Sequence, residues 1–78
     1  MSLLNELREQ AGLGGPAASL ANEILVIREN YEQEQLTVEE YKFLLKEIAE
    51  IRAQQELASD EITMRWIVSV AQGLSAVV

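Results

Sequence analysis

Apolar side chains in this chain of 78 residues recur at helical spacing, and nowhere do they alternate at period two. Four helical segments follow from that pattern. The first, Leu3–Ala11, is short: Ser2 stands where it can cap the start, Gly12 suits a left-handed residue after the end, and Leu13 is placed to fold back on Leu7. Gly12, Gly14 and Gly15 then mark a flexible joint. Residues 1–15 therefore read as a mobile piece or docking arm ahead of a helical core over 16–78. The second helix starts at Pro16, whose fixed φ suits the first helical position. Leu20, Ile24, Ile27 and Tyr31 form one stripe along it, which Ala17, Ala21 and Leu25 widen. Beyond Arg28 only Tyr31 stays on that stripe, so this end is expected to be solvated.

The next break carries its own chemistry. Thr37 and Glu40 have the spacing of a capping box, in which the threonine hydroxyl accepts from the Glu40 amide and the glutamate accepts from the Thr37 amide; Leu36 and Tyr41 occupy the flanking apolar positions. With neither glycine nor proline between the helices, so short a turn predicts an antiparallel helical hairpin. The third helix then runs over 38–57. Tyr41, Leu44, Leu45, Ile48 and Ile51 form its buried stripe, with Lys42, Lys46 and Glu50 opposite. Lys46–Glu50 and Arg52–Glu56 have the spacing of helical ion pairs, which contribute about 0.2–0.5 kcal/mol each. Phe43 points off the stripe and marks a second contact surface.

The last helix starts near Ser59, with Asp60 and Glu61 in its first turn, where carboxylates favour the positive helix end, and with Glu61 and Arg65 spaced to pair. Its apolar residues cover most of the circumference, leaving a narrow strip at Arg65, Ser69, Gln72 and Ala76. Such a helix has to be buried on nearly all sides. Two short partner helices are too few for that, so further copies of the chain or a different protein are expected to complete it. The expected interface comprises Phe43, Trp66, Ile67, Val70, Leu74 and Val77. The predicted architecture is all-α: one domain, a small helical bundle built on an antiparallel hairpin, with three main helices and a short N-terminal helix, completed by oligomerisation.

Size and composition sharpen this expectation. A chain this short buries only about 60% of the surface its unfolded form exposes, so small domains lean on disulfides, metals or association. Cysteine and histidine are both absent. That removes disulfides, thiolate and imidazole metal sites, the usual catalytic triads and the commonest general base, and leaves association. With 6 Lys+Arg against 13 Asp+Glu, the formal charge is −7. Such a charge repels nucleic-acid phosphate and anionic membranes, so no nucleic acid is expected as a partner. The uncharged run 66–78 falls short of the roughly 20 residues a membrane span needs. Residues 1–10 carry Glu6 and Glu9 without a long apolar run and do not read as a signal peptide, so a cytoplasmic or virion-associated location is expected rather than secretion.

Glu6/Glu9, Glu29/Glu32 and Glu47/Glu50 are carboxylate pairs on helix faces, but those faces are the predicted wet ones. Gly12-Leu13-Gly14-Gly15-Pro16 lacks both the preceding strand and the following lysine of a phosphate-binding loop. Trp66 and Tyr41 read as core or interface anchors, and Ser69, Gln72 and Ser75 beside Ala71 and Gly73 permit close helix approach. No catalytic, cofactor-binding or metal-binding residue is assigned, and no enzymatic activity or cofactor is expected.

The stretch 31–48 (YEQEQLTVEEYKFLLKEI), followed by Ala58-Ser59-Asp60-Glu61 and an apolar helix, resembles small helical proteins carried by tailed bacteriophages. The resemblance covers residues 31–78 and implies a virion-assembly, scaffold or host-modulating role; it carries over no functional residue. The expected function is thus that of a non-enzymatic, oligomeric assembly protein acting through helix–helix contacts with itself or another protein. A small acidic inhibitor or adaptor of a larger host enzyme is the alternative.

Overall fold

The computed structural model describes residues 3–77. They form α1 (Leu3–Ala11), α2 (Pro16–Glu32), α3 (Val38–Glu47), a π-helical turn (Ile48–Arg52), α4 (Ala53–Glu56) and α5 (Glu61–Ala76), with no strand among them. Because α3, the π turn and α4 run on without a break, the chain makes four rods around one apolar cluster. The expected cap at Ser2 lies outside the described residues. No helix is long and apolar enough among them to cross a membrane.

The joints are made by specific backbone chemistry. Pro16 opens α2 after Gly15, whose φ of 91° and ψ of −179° lie in a region essentially open to glycine alone. Gly14 and Gly15 have positive φ and Gly12 does not, so the left-handed residues come later in the loop than expected. Leu13 does not fold back: it is exposed, while Leu7 is fully buried. Between α2 and α3 the capping box forms as expected, with the Thr37 amide donating to Glu40 Oε1 at 2.9 Å and the Glu40 amide donating to Thr37 Oγ1 at 3.1 Å. Upstream, α2 ends on a left-handed cap without glycine. Glu34 takes φ 62°, its amide donates to the Tyr31 carbonyl at 3.0 Å, and the Gln35 amide donates to the Asn30 carbonyl at 2.9 Å. These bonds satisfy two of the last carbonyls of α2, at the cost of a side chain in the left-handed region.

The third rod departs from regular α periodicity at its middle. In the π turn the Ala53 amide donates to the Ile48 carbonyl, five residues back, so one extra residue is wound into the rod. Up to that point the expected stripe holds for Tyr41, Leu45 and Ile48, with Leu44 half-buried. After it the core face passes to Ala49, Ala53 and Leu57, and Ile51 is turned out to 49% exposure. The expectation that Ile51 is buried is thereby corrected: an α-helix would return to the core at Ile51 or Arg52, and the extra residue moves the return to Ala53. The Arg52 guanidinium, carried sideways with it, bridges Glu23 Oε1 of α2 at 2.6 Å and Glu56 Oε2 at 2.8 Å. These bonds, the one to Glu23 foremost, raise the already high pKa of Arg52. Only the Glu56 pairing follows from sequence spacing. Lys46 and Glu50, also spaced to pair, form no ion pair.

Helix α5 starts one turn of sequence after α4. Asp60 caps it, accepting from the Thr63 amide at 3.2 Å and from Thr63 Oγ1 at 2.7 Å, and these bonds hold its carboxyl below the ordinary value of 3.8. Glu61 and Arg65 pair at 2.6 Å. Ile67, Val70, Ala71 and Leu74 are buried within this one chain. Here the structure corrects the view that companion chains must supply that burial. The missing wall is α1, which is not a free arm: Leu7 lies in the same cluster as Leu20, Ile24, Ile67, Val70 and Leu74, and Leu4 and Ala11 pack against it. At Gly73 the side chain of Leu3 comes in close, because a β-carbon there would sit 3.2 Å from Leu3 Cδ1.

Two stability measurements follow. Leu7→Ala is expected to cost about 2–5 kcal/mol, as for other buried leucines, in urea unfolding followed by circular dichroism; a loss below about 0.5 kcal/mol would mean that α1 is not part of the core. Glu34→Gly is expected to stabilise the chain by about 0.5–1 kcal/mol, read as a higher midpoint in the same experiment, since glycine carries no steric penalty at positive φ. An unchanged or lower midpoint would remove the left-handed cap.

Candidate protein-docking face

The surface to which the candidate residues lead is set by how α3 is held against α5, and Tyr41 holds it. This tyrosine is fully buried. Its ring stacks on Tyr31 of α2 with centroids 4.2 Å apart and planes 15° from parallel. Its hydroxyl donates to the Leu74 carbonyl near the end of α5 at 3.3 Å and accepts from Arg28 Nη1 at 3.0 Å. Arg28 lies 5.7 Å from the centroid of each tyrosine ring, a cation–π distance, and its Nη1 also donates to the Val77 carbonyl at 3.4 Å. The Arg28 Nε is buried and makes a charge contact with Glu32 at 3.4 Å rather than a hydrogen bond. The bond to Tyr41 is the main reason the guanidinium pKa is raised, with Glu32 adding to it. The positive group lies where the α5 carbonyls have run out of helical partners, so it also opposes the negative end of that helix.

With α3 and α5 fastened at this end, a groove of about 510 Å³ runs between them. Ala49, Ala71, Ser75 and Ala76 give it a shallow lining of small side chains, and Lys42, Lys46, Glu39 and Glu50 stand around it. Phe43 lines the same groove and is 63% exposed. It also borders a hollow of about 320 Å³ shared with Leu36 and Leu44, and one of about 140 Å³ shared with Lys46, Glu47, Glu50 and Ile51. One proud aromatic ring thus stands where three hollows meet. The lining thus mixes small apolar side chains with charges of both signs. Among the described residues no group of three or more carboxylates gathers at metal-binding distance.

Of the six residues expected at an interface, the structure brings few together. Ile67, Val70 and Leu74 lie in the chain's own core, Trp66 is half-buried, and Val77 is 68% exposed at the far end of α5. Phe43 is the one placed beside a groove, and its neighbours there are the small and polar residues of α5 rather than the large apolar ones. Sequence reasoning passed over Ile51, because the π turn is silent in the apolar pattern, and over Ala49, whose small size reads as helix propensity; Ala71 it placed at a close helix approach, and the residue does line the groove beside α3. It also passed over Ile62, 84% exposed, which the circumference count had placed among buried residues. The paired lysines Lys42 and Lys46 were visible. The Arg52–Glu56 and Glu61–Arg65 pairs follow from spacing as well, while the Arg52 bridge to Glu23 stood hidden; Lys42 and Lys46 take no acidic partner among the described residues, and Arg8 donates to the neutral Asn5.

The comparisons with known proteins add no relative: no family model matches the chain, nor does any curated protein or solved structure.

Tyr41→Phe removes the hydroxyl that joins the three helices while keeping the ring stack. Losing both hydrogen bonds of that hydroxyl, one of them from a charged guanidinium, is expected to cost about 1–3 kcal/mol in chemical denaturation, with the Leu74 carbonyl keeping the Val77 amide as a donor. A change within about 0.5 kcal/mol would show that the phenol does not fasten α5.

Proposed function

We propose that this chain is a non-enzymatic assembly protein that works through helix–helix contacts, first with copies of itself. The observation that supports the reading is Phe43: a large aromatic side chain held out at 63% exposure beside three hollows, on a rod that also exposes Ile51. Aromatic anchors flanked by hollows are what contact energy concentrates on in protein interfaces. The rod bearing them is rigid, being capped at Thr37 and braced at Tyr41 and Arg52, so little ordering cost attends docking. A hairpin in which α3 returns antiparallel along α2 is part of the reading, supported by the Tyr31–Tyr41 and Glu23–Arg52 contacts at its two ends. Association would also add the buried area that a chain this small lacks. Virion assembly is the setting proposed, on the strength of the resemblance over residues 31–78.

Molar mass by light scattering over a range of micromolar concentrations tests this. A mass that rises above the 8.7 kDa of one chain is expected. A mass that stays at one chain throughout would overturn the reading.

A further inference from the structure

We propose that two copies pair antiparallel along α3 and the π turn, about a twofold axis beside Lys46 and Glu47, with Phe43 of each copy packed on Ile51 of the other. This rests on the self-association proposed above and names the surface that carries it. The order of side chains along the rod is the reason. Its first half presents Lys42, Phe43 and Lys46, and its second half Glu47, Glu50 and Ile51, all exposed. A parallel pair would set lysine beside lysine and glutamate beside glutamate. An antiparallel pair sets Lys46 of one copy against Glu47 and Glu50 of the other, twice, and each phenylalanine against an isoleucine. Such a patch is self-complementary, as a twofold interface requires.

Two further observations favour a second copy on this face. Each copy carries a formal −7, so two copies repel least where cations without acidic partners lie, and two of these, Lys42 and Lys46, lie together here, with Arg8 alone on α1. The 140 Å³ hollow bordered by Phe43, Lys46, Glu47, Glu50 and Ile51 leaves space beside Ile51 for the incoming ring. The stretch from Val38 to Arg52 is about 22 Å long. A strip along it covers less than the roughly 800 Å² per partner of a standard interface. The pair is accordingly weak and concentration-dependent.

Sedimentation equilibrium of the full chain and of charge-reversed variants tests the pairing. Lys46→Glu and Glu50→Lys are each expected to weaken the dimer about tenfold, and the double variant K46E/E50K to restore it, because reversed pairs still match across the axis. The second variant is the decisive one: it lowers net repulsion, so a purely global charge effect would strengthen association. Phe43→Ala is expected to abolish it, with an unchanged melting temperature at low concentration showing that the fold is intact. If the wild-type chain associates but the single reversals leave the dissociation constant unchanged, or the double variant fails to restore it, the α3 pairing is overturned and self-association stands. If the wild-type chain is monomeric throughout, or binds only a different protein through Phe43, both readings are overturned.

Discussion

The arrangement depends on one buried phenol. Tyr41 sits at the start of α3, and its hydroxyl is the point where α2, through Arg28, and α5, through the Leu74 carbonyl, are joined. A hydroxyl in an apolar core is costly unless it is satisfied, and this one both donates and accepts. The stack on Tyr31 fixes the ring, and the capping box four residues earlier fixes the chain that carries it. The geometry at this end is therefore over-determined: a shift of α5 along α3 breaks the bond to Leu74, and a rotation of α3 breaks the stack.

That fastening explains which parts of the surface are left open. Arg28, Arg52 and Arg65 are each held by acidic side chains, two of them bracing one rod against another or against a helix end. Exposed pairs of this kind contribute little each, about 0–1 kcal/mol, so their effect lies more in positioning than in total stability. What they leave is a chain whose surplus negative charge is spread widely and whose two lysines, without acidic partners among the described residues, lie together on one stretch of α3. The exposed aromatic ring shares that stretch.

How much of this is legible in the residues differs sharply from place to place. The capping box was readable because both of its bonds are local: Thr37 and Glu40 need nothing beyond their own turn. Helix limits at Ala11 and Pro16 follow from glycine and proline for the same reason. The π turn was not readable, because Ile48-Ala49-Glu50-Ile51-Arg52 satisfies an α-helical pattern with Ile51 inward just as well as the observed one with Ala53 inward. Which register wins is decided by packing, where Ala53 lets α3–α4 approach α2 and α5 closely. The role of α1 was hidden for a related reason. Glycines beside a short helix suggest freedom, but the side chain of Leu7 had a place to go only once Leu20, Ile24 and Ile67 were assembled. Burial around α5 is hidden in the sequence for the same reason, because the wall that α1 supplies exists only in the assembled core.

The extra residue of the π turn also bears on how this chain would be lined up against a relative. A related protein lacking that residue would carry its apolar positions unbroken at α-helical spacing through this region, and an alignment forced without a gap would set Ala53 and Leu57 against side chains facing water. A one-residue gap between 48 and 52 would bring the two cores back into step. Divergence concentrated there, with Thr37, Glu40 and Tyr41 preserved upstream, would mark a common fold whose outer face had been turned toward a different companion.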